Sequence, residues 1–453
     1  MNLQLSAIAE AVGGVLEGQD VPVSKVGIDT RTLVPGALYC TIKGERFDGH
    51  DFVVQAEQAG AIAVLASKKM ATSLPTVIVN DTRLALAELA RLWRQKANVK
   101  VVGITGSNGK TTVKEMVAAV LGGDASVLFT QGNLNNDIGV PLTLLRLNDA
   151  HRFAVIEMGA NHAGEIAYTS HYAEPDVSMI TNAGPAHLEG FGSLDGVAGA
   201  KGEIIDALAP DGVALLNFDD VYFNTWRARA GKRPVISFGL NEGADISARN
   251  IKSTLQEGEF VTTFDLIANS RRLPVQIGLA GRHNVINALA AAAAGLALGV
   301  SPESVKRGLA AIKPVTGRLQ PLPSRVAQIV IDDTYNANAA SLAAGLDVLR
   351  ECSGEPWVVL GAFGELGPDS GRIHQEIGVS IKACGVKRLL ATGELARHTV
   401  QAFGAGGAFF TTQQALIDML KQELTGREAV LVKGSRVQHM ERVVSALVEN
   451  FRN

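Results

Sequence analysis

The chain has 453 residues, enough at about 150 per domain for about three domains. Apolar residues make up 47% and charged residues 19%, a composition that can bury large cores and excludes a disordered tail. A formal charge of −3 and an aromatic content of 5% argue against a nucleic-acid binder, which needs a basic field and platforms for stacking bases.

In the first part, apolar runs at 37–43, 61–66 and 76–79 read as strands. Residues 81–96 read as a helix, with Leu84, Leu86, Leu89, Leu92 and Trp93 as its apolar stripe. The middle part offers strands at 101–105, 153–157, 177–181, 213–217 and 235–238, with helical patterns between them. That alternation implies a parallel sheet flanked by helices, so the fold class is α/β. Residues 244–281 change to alternating polar and apolar positions, as in Glu259-Phe260-Val261-Thr262-Thr263-Phe264, which predicts strand pairing attached to the central domain. The apolar run 288–300 is too short to span a bilayer and predicts a buried Ala-rich helix. Pro314 and Gly317 punctuate the end of a helix, and strands follow at 329–333, 357–360, 388–392 and 429–433. The domains expected are therefore 1–96, 97–313 and 314–453. The start carries Glu10 and no basic stretch, unlike a signal peptide. Cys40, Cys352 and Cys384 are odd in number and far apart, which fits a reducing compartment. A soluble cytoplasmic protein without a membrane span is expected.

The clearest chemical signal is residues 103–112, which follow a Val-rich strand and open a helical pattern. There Thr105, Gly106, Ser107, Asn108, Gly109, Lys110, Thr111 and Thr112 form a loop whose N–H groups can point at a phosphate on the positive end of a helix. Lys110 would neutralise β- and γ-phosphate charge, and the Thr111 hydroxyl would ligate Mg²⁺. The strict phosphate-loop pattern fails at Ile104, which stands at the first glycine position. The reading is ATP or GTP binding; the competing one is a glycine-rich turn without ligand. Glu157 ends an apolar strand, and a buried carboxylate needs a cation, either Mg²⁺ or a paired arginine. His187 follows the strand end at Asn182 and reads equally as a metal ligand or a surface loop residue. Lys201, in residues 199–203 where a helix is expected to begin, reads as a solvated lysine.

These residues resemble the Mur ligases, ATP-dependent amide-forming enzymes of bacterial cell-wall precursor synthesis. The resemblance rests on 105–112, Glu157, the stretch from Asn182 to His187, Gly281-Arg282-His283-Asn284 through Ala288, Gly317-Arg318 and Asp332-Asp333. Within the family, it is strongest to the enzymes that add D-alanyl-D-alanine to UDP-N-acetylmuramoyl-tripeptide. Their pattern runs through Asp29-Thr30-Arg31, residues 43–52, 132–141 and 157–161, Asp333-Thr334-Tyr335-Asn336-Ala337-Asn338, and 432–436 with Met440-Glu441.

The resemblance implies three α/β domains: a small N-terminal UDP-binding domain, a central P-loop ATPase-like parallel sheet and a C-terminal Rossmann-like domain that receives the incoming dipeptide. It implies activation of the tripeptide carboxylate by ATP through an acyl phosphate, giving the UDP-MurNAc-pentapeptide. Residues 106–112 would hold the triphosphate, with Thr111 and Glu157 around one Mg²⁺. His187 and Lys201 would serve a second, with Lys201 carbamylated because a carbamate presents oxygens to the metal. Asn284, Arg318 and Asp333 would contact nucleotide. Asp29, Thr30, Arg31, Lys43, Arg46 and Asp48 would hold the UDP-sugar, with Arg31 and Arg46 facing its diphosphate. Asn135 and Asn136 would face the peptide arm, and the chain is expected to act as a monomer. Ala339, where proline is usual, and residues 361–367, which lack the usual acidic-Met pair, depart from the pattern in the C-terminal domain. The competing readings are the ligase adding the third amino acid, a folylpolyglutamate synthase, and a non-catalytic ATP-dependent binding protein.

Overall fold

The computed structural model describes residues 2–123, 125–185 and 188–448. Three α/β sheets follow one another along the chain, with a two-stranded ribbon (Leu3–Gln4 with Pro22–Val23) beside the first. The first sheet has five strands, in the spatial order Val15–Glu17, Thr76–Ile78, Ala63–Ala66, Ala37–Cys40 and Lys25–Gly27. All its pairings are parallel except that of Val15–Glu17 with Thr76–Ile78.

The central sheet has nine strands. Lys100–Thr105 lies between the parallel strands His151–Glu157 and Val177–Ile180, with Ser126–Phe129 at one edge. Val213–Asn217 and Val235–Phe238 continue it, and Ile246–Gln256, Glu259–Ala268 and Arg271–Ile277 close the other edge as an antiparallel meander. The alternation in 244–281 is thus strand pairing on the central sheet, as its period-two pattern predicts. The third sheet runs Gln320–Leu322, Ile329–Asp333, Glu428–Lys433, Glu355–Gly361, Arg388–Thr392 and Gly407–Phe410, with only the first strand antiparallel.

The continuous apolar runs of the central strands have a simple cause: each strand feeds two cores. Val101, Ile156, Ile180 and Leu216 pack into one cluster, while their neighbours Val102, Val155, Met179 and Leu215 face the other. Side chains alternate across a strand, so a sheet covered on both faces has no position for a solvated residue. On one face the helices Lys110–Gly122 and Arg282–Ala297 pack together, and the alanines Ala288 to Ala294 are buried there. Small side chains permit close approach; a Cβ on Gly295 would lie 2.6 Å from Val120 Cγ1.

Several expectations need correction. The strand expected at 37–43 ends at Cys40, and Lys43 instead pairs with Asp48 in an isolated bridge. Helix Thr82–Lys96 buries Leu86 and Leu89, but Leu84 is 46% exposed, because the apolar face of this helix is completed by Ala85 and Ala90. Residues 199–203 do not begin a helix. They lie inside Leu194–Asp206, whose start is capped by Ser193 Oγ accepting from the Gly196 N–H.

Candidate functional site

The site forms at the carboxyl ends of the central strands, where a parallel sheet gathers its loops. Strand Lys100–Thr105 runs into the glycine loop, and helix Lys110–Gly122 starts at once behind it. Gly109 adopts φ 81° and a Cβ there would sit 2.7 Å from Asn287 Oδ1; at Gly106 it would sit 1.9 Å from Thr181 Oγ1. Both positions therefore exclude a side chain. Ile104, at the first glycine position of the strict pattern, remains inside the strand and buried, so the turn begins only beyond it.

The loop is braced by the neighbouring strand end. Ser107 N–H donates to Asn182 O (3.0 Å) and Asn108 N–H to Asn182 Oδ1 (3.0 Å). Asn108 O accepts from Thr181 Oγ1 (2.7 Å) and Asn182 Nδ2 (3.0 Å). Lys110 is half-buried, with its Nζ folded back onto Gly106 O at 2.7 Å. Burial and the Arg318 charge push its pKa down, against the pull of Glu157. Its head is thus held by the loop's own backbone.

Glu157 is 2% exposed. Its Oε1 accepts from Asn135 Nδ2 (2.9 Å), and its Oε2 is buried without a hydrogen-bond partner. No arginine forms an ion pair with it among the described residues, so the structure leaves the second oxygen open for a cation from outside the chain. Arg318 mirrors this with its Nε, buried and unpartnered, while its guanidinium stacks 4.1 Å from the Tyr335 ring. Among the described residues no three His, Cys, Asp or Glu side chains converge as a metal cage. The open Glu157 oxygen is the kind of single carboxylate donor that Mg²⁺ takes together with phosphate oxygens and water.

Lys201 is buried at 2% exposure, not solvated. Burial and then the nearby Lys110 charge lower its pKa to about 7, and its Nζ sits 5.3 Å from the Phe191 ring centroid. Burial thus disfavours the ammonium form of Lys201, unlike that of a solvated surface lysine. His187 lies outside the described residues.

Two adjoining cavities open here. One, of about 420 Å³, is lined by Asn108, Thr111, Thr112, Asn284, Arg318 and Asp333. The other, of about 250 Å³, takes in Lys110, Asn135, Glu157, Asn338, Glu365 and Arg436. The second crosses from the central to the third sheet. Asn338 Nδ2 there donates to Asn108 Oδ1 (2.8 Å) while its own Oδ1 caps helix Ala339–Glu351. Ala339 therefore occupies the first turn of a helix that is already capped, and needs no proline to start. Asn284 is held by Ala280 O and Asn287, and Asp333 by the Lys433 ammonium and the Leu319 N–H.

The residues expected to hold the UDP-sugar lie elsewhere. Neither cavity wall includes 29–31 or 43–48. Arg31 is exposed, with its guanidinium forked onto Asp29, whose carboxyl it holds down at about 2. Thr30 is half-buried and Arg46 is exposed. Asp48 accepts from the His50 N–H (3.0 Å) and contacts its Nδ1, while Asn136 Oδ1 accepts from the Gly139 N–H (2.9 Å). A connecting residue that sequence reasoning missed is Arg83. Its Nη1 reaches Asp137 (2.9 Å) and its Nη2 the Lys43 carbonyl (3.3 Å), joining the 43–48 loop to the loop that carries Asn135 and Asn136. Only its partners, 54 and 40 positions away, distinguish it from an ordinary helix-surface arginine.

Comparison with known proteins agrees with this geometry. Residues 22–94 match the Mur ligase family, catalytic domain; 104–295 match the Mur ligase middle domain; 317–436 match the Mur ligase, glutamate ligase domain. The UDP-N-acetylmuramoyl-tripeptide–D-alanyl-D-alanine ligase of Escherichia coli strain K12 is 44% identical, covering 99% of each chain. That of Bacillus subtilis strain 168 is 35% identical, covering 98% of each. A crystal structure of MurF from Acinetobacter baumannii, 36% identical, covers 99% of each chain with a TM-score of 0.93. MurF ligase from Thermotoga maritima in complex with ADP, 28% identical, covers 94% of this chain and 97% of its own with a TM-score of 0.83. With three family models matched in order along the chain and the identity sustained from end to end, the chain belongs to the Mur ligase family.

Proposed function

We propose that the chain is an ATP-dependent ligase that joins D-alanyl-D-alanine to UDP-N-acetylmuramoyl-tripeptide. The observation that carries this reading is 44% identity over 99% of both chains to a ligase of that name. It covers the N-terminal sheet as well as the nucleotide loop. The rivals share the fold alone: a 2,6-diaminopimelate-adding ligase is 16% identical with a TM-score of 0.56, and a folylpolyglutamate synthase 19% with 0.64. A non-catalytic nucleotide-binding protein gives no use to a buried carboxylate with one oxygen unpartnered or to a lysine buried in the same sheet's flanking helix.

A carboxylate is a poor electrophile, and ATP would supply the phosphoryl group that makes it an acyl phosphate. Phosphoryl transfer asks the protein mainly for positioning and charge. Residues 106–112 would hold the phosphates, Lys110 would offset the repulsion between two anions, and Thr111 with Glu157 would hold Mg²⁺. Lys201, as a carbamate, would join His187 at a second metal. The unpartnered Arg318 Nε supports a nucleotide contact, and Asn284 and Asp333 line the same wall. Asp29, Thr30, Arg31, Lys43, Arg46 and Asp48 would hold the UDP-sugar, with Asn135 and Asn136 toward the peptide arm. Residues 1–96, 97–313 and 314–453 would act as sugar-binding, nucleotide-binding and dipeptide-binding units. Water would destroy the activated acid, so the cavity shared by the second and third units would close over it. No described helix is long and apolar enough to cross a membrane; a cytoplasmic monomer is the setting proposed.

Phosphate release with UDP-muramoyl-tripeptide, comparing D-alanyl-D-alanine, diaminopimelate and glutamate as amine, tests the reading. Turnover only with the first, and transfer of oxygen-18 from substrate acid to inorganic phosphate, are expected. Activity only with glutamate and a folate would end it.

A further inference from the structure

Helix Lys110–Gly122 carries a second lysine that no part of the mechanism above uses. Lys114 is 2% exposed, set among the core residues Val113, Met116 and Val117. Packing alone would be served there by an apolar side chain, since burying an ammonium is costly unless its donors are matched. They are matched. Lys114 Nζ donates to Thr130 O (2.7 Å), lies 2.9 Å from a Glu115 carboxylate oxygen and sits 5.5 Å from the Phe129 ring centroid.

Thr130 is the point of interest. It is fully buried just after strand Ser126–Phe129, and its N–H donates to Val155 O (3.1 Å). Its hydroxyl oxygen accepts from the Glu157 N–H (3.0 Å). The segment it opens carries Asn135, whose Nδ2 holds Glu157 Oε1 and whose carbonyl accepts from the Gly159 N–H (2.8 Å). The backbone of Glu157 and one of its oxygens are thus both fixed by a segment whose first residue Lys114 grips. Lys114 itself stands three residues beyond Thr111 on the same helix.

We infer that Lys114 is a positioning residue for the divalent cation, setting the separation of Thr111 and Glu157 through Thr130 without touching metal or nucleotide. This rests on the proposed placing of Mg²⁺ between those two side chains. Groups that orient metal ligands act on metal affinity more than on anything else.

The test titrates Mg²⁺ against the full chain with ATP, reading nucleotide binding by calorimetry. Lys114→Met keeps the length of the stem and removes the donors. Its Mg²⁺ half-saturation should rise ~10- to 100-fold, with ATP affinity at saturating Mg²⁺ unchanged. Thr130→Val, which removes the acceptor for the Glu157 N–H, should shift the same quantity in the same direction, and Thr130→Ser should restore it. The double variant should show little beyond the larger single effect, as residues in one chain of contacts do. Wild-type Mg²⁺ dependence in both Lys114→Met and Thr130→Val overturns the inference. Should Lys114→Met not fold, equal half-saturation in Thr130→Val and Thr130→Ser overturns it alone. ATP binding by the unaltered chain that ignores Mg²⁺ would overturn the metal placing itself, a failure visible before any variant is made.

Discussion

Glu157 and Asp333 each end a parallel strand, one in the central sheet and one in the third, and both are buried. Their surroundings differ. Asp333 is answered within the chain by the Lys433 ammonium and the Leu319 N–H. Glu157 receives one amide hydrogen bond, and its other oxygen has no partner. A buried charge with a complete set of partners is part of the fold's own accounting, and removing a partner harms the fold. A buried charge left half-satisfied costs stability, and a protein retains it for what it binds.

That contrast can be broken by experiment. The largest expected effect is on the open side: Lys110→Ala should lower turnover ~10³-fold, because removing one preorganised charge or donor at developing anionic charge has that size. Its melting temperature should stay near wild type; normal turnover in the phosphate-release assay would show the loop to be misassigned. On the closed side, Lys433→Met should cost about 3–5 kcal/mol in urea unfolding, since it strands Asp333 in the core. Glu157→Gln is the paired control. It should abolish turnover yet unfold at the same or higher urea concentration than wild type, because it replaces a buried carboxylate whose second oxygen has no hydrogen-bond partner with a neutral amide. Equal destabilisation by Lys433→Met and Glu157→Gln would erase the distinction.

A smaller effect sharpens it through pH. With its pKa lowered to about 7, Lys201 is an ammonium below that pH and a free amine above it. Only the amine can add carbon dioxide. The rate should therefore fall as pH drops through about 7, and bicarbonate should raise it on the alkaline side. Lys201→Ala should lose activity that short carboxylic acids partly restore. An unimpaired Lys201→Ala enzyme would remove the second-metal argument.

The strands were legible where both faces are buried, because a two-sided core demands an unbroken apolar run, as at 213–217 and 388–392. Short strands such as Val15–Glu17 and Lys25–Gly27 were not, since three residues carry no readable period. The phosphate loop was legible because its strand, glycines and lysine are contiguous. Lys201 was not: residues 199–203 give no apolar signal, and its burial comes from Phe191 and the surrounding packing, with Lys110 ninety-one positions away acting on its charge. Lys114 and Arg83 were overlooked for the same reason, each resembling a solvated helix charge until its partner is brought to it.

Local chemistry and the alternation of side chains along strands and helices lie in the order of residues. They determined the α/β class, the glycine loop between strand and helix, and the place of Glu157 at a strand end. Whether a given charge is answered or left open depends on which distant residues meet it. Asn135 reaching Glu157, Lys433 reaching Asp333 and Asn338 reaching Asn108 are separated by 22, 100 and 230 positions, and only the packed chain could decide them. Burial makes that decision consequential, because a polar group removed from water must find its partner inside the protein or in what the protein binds.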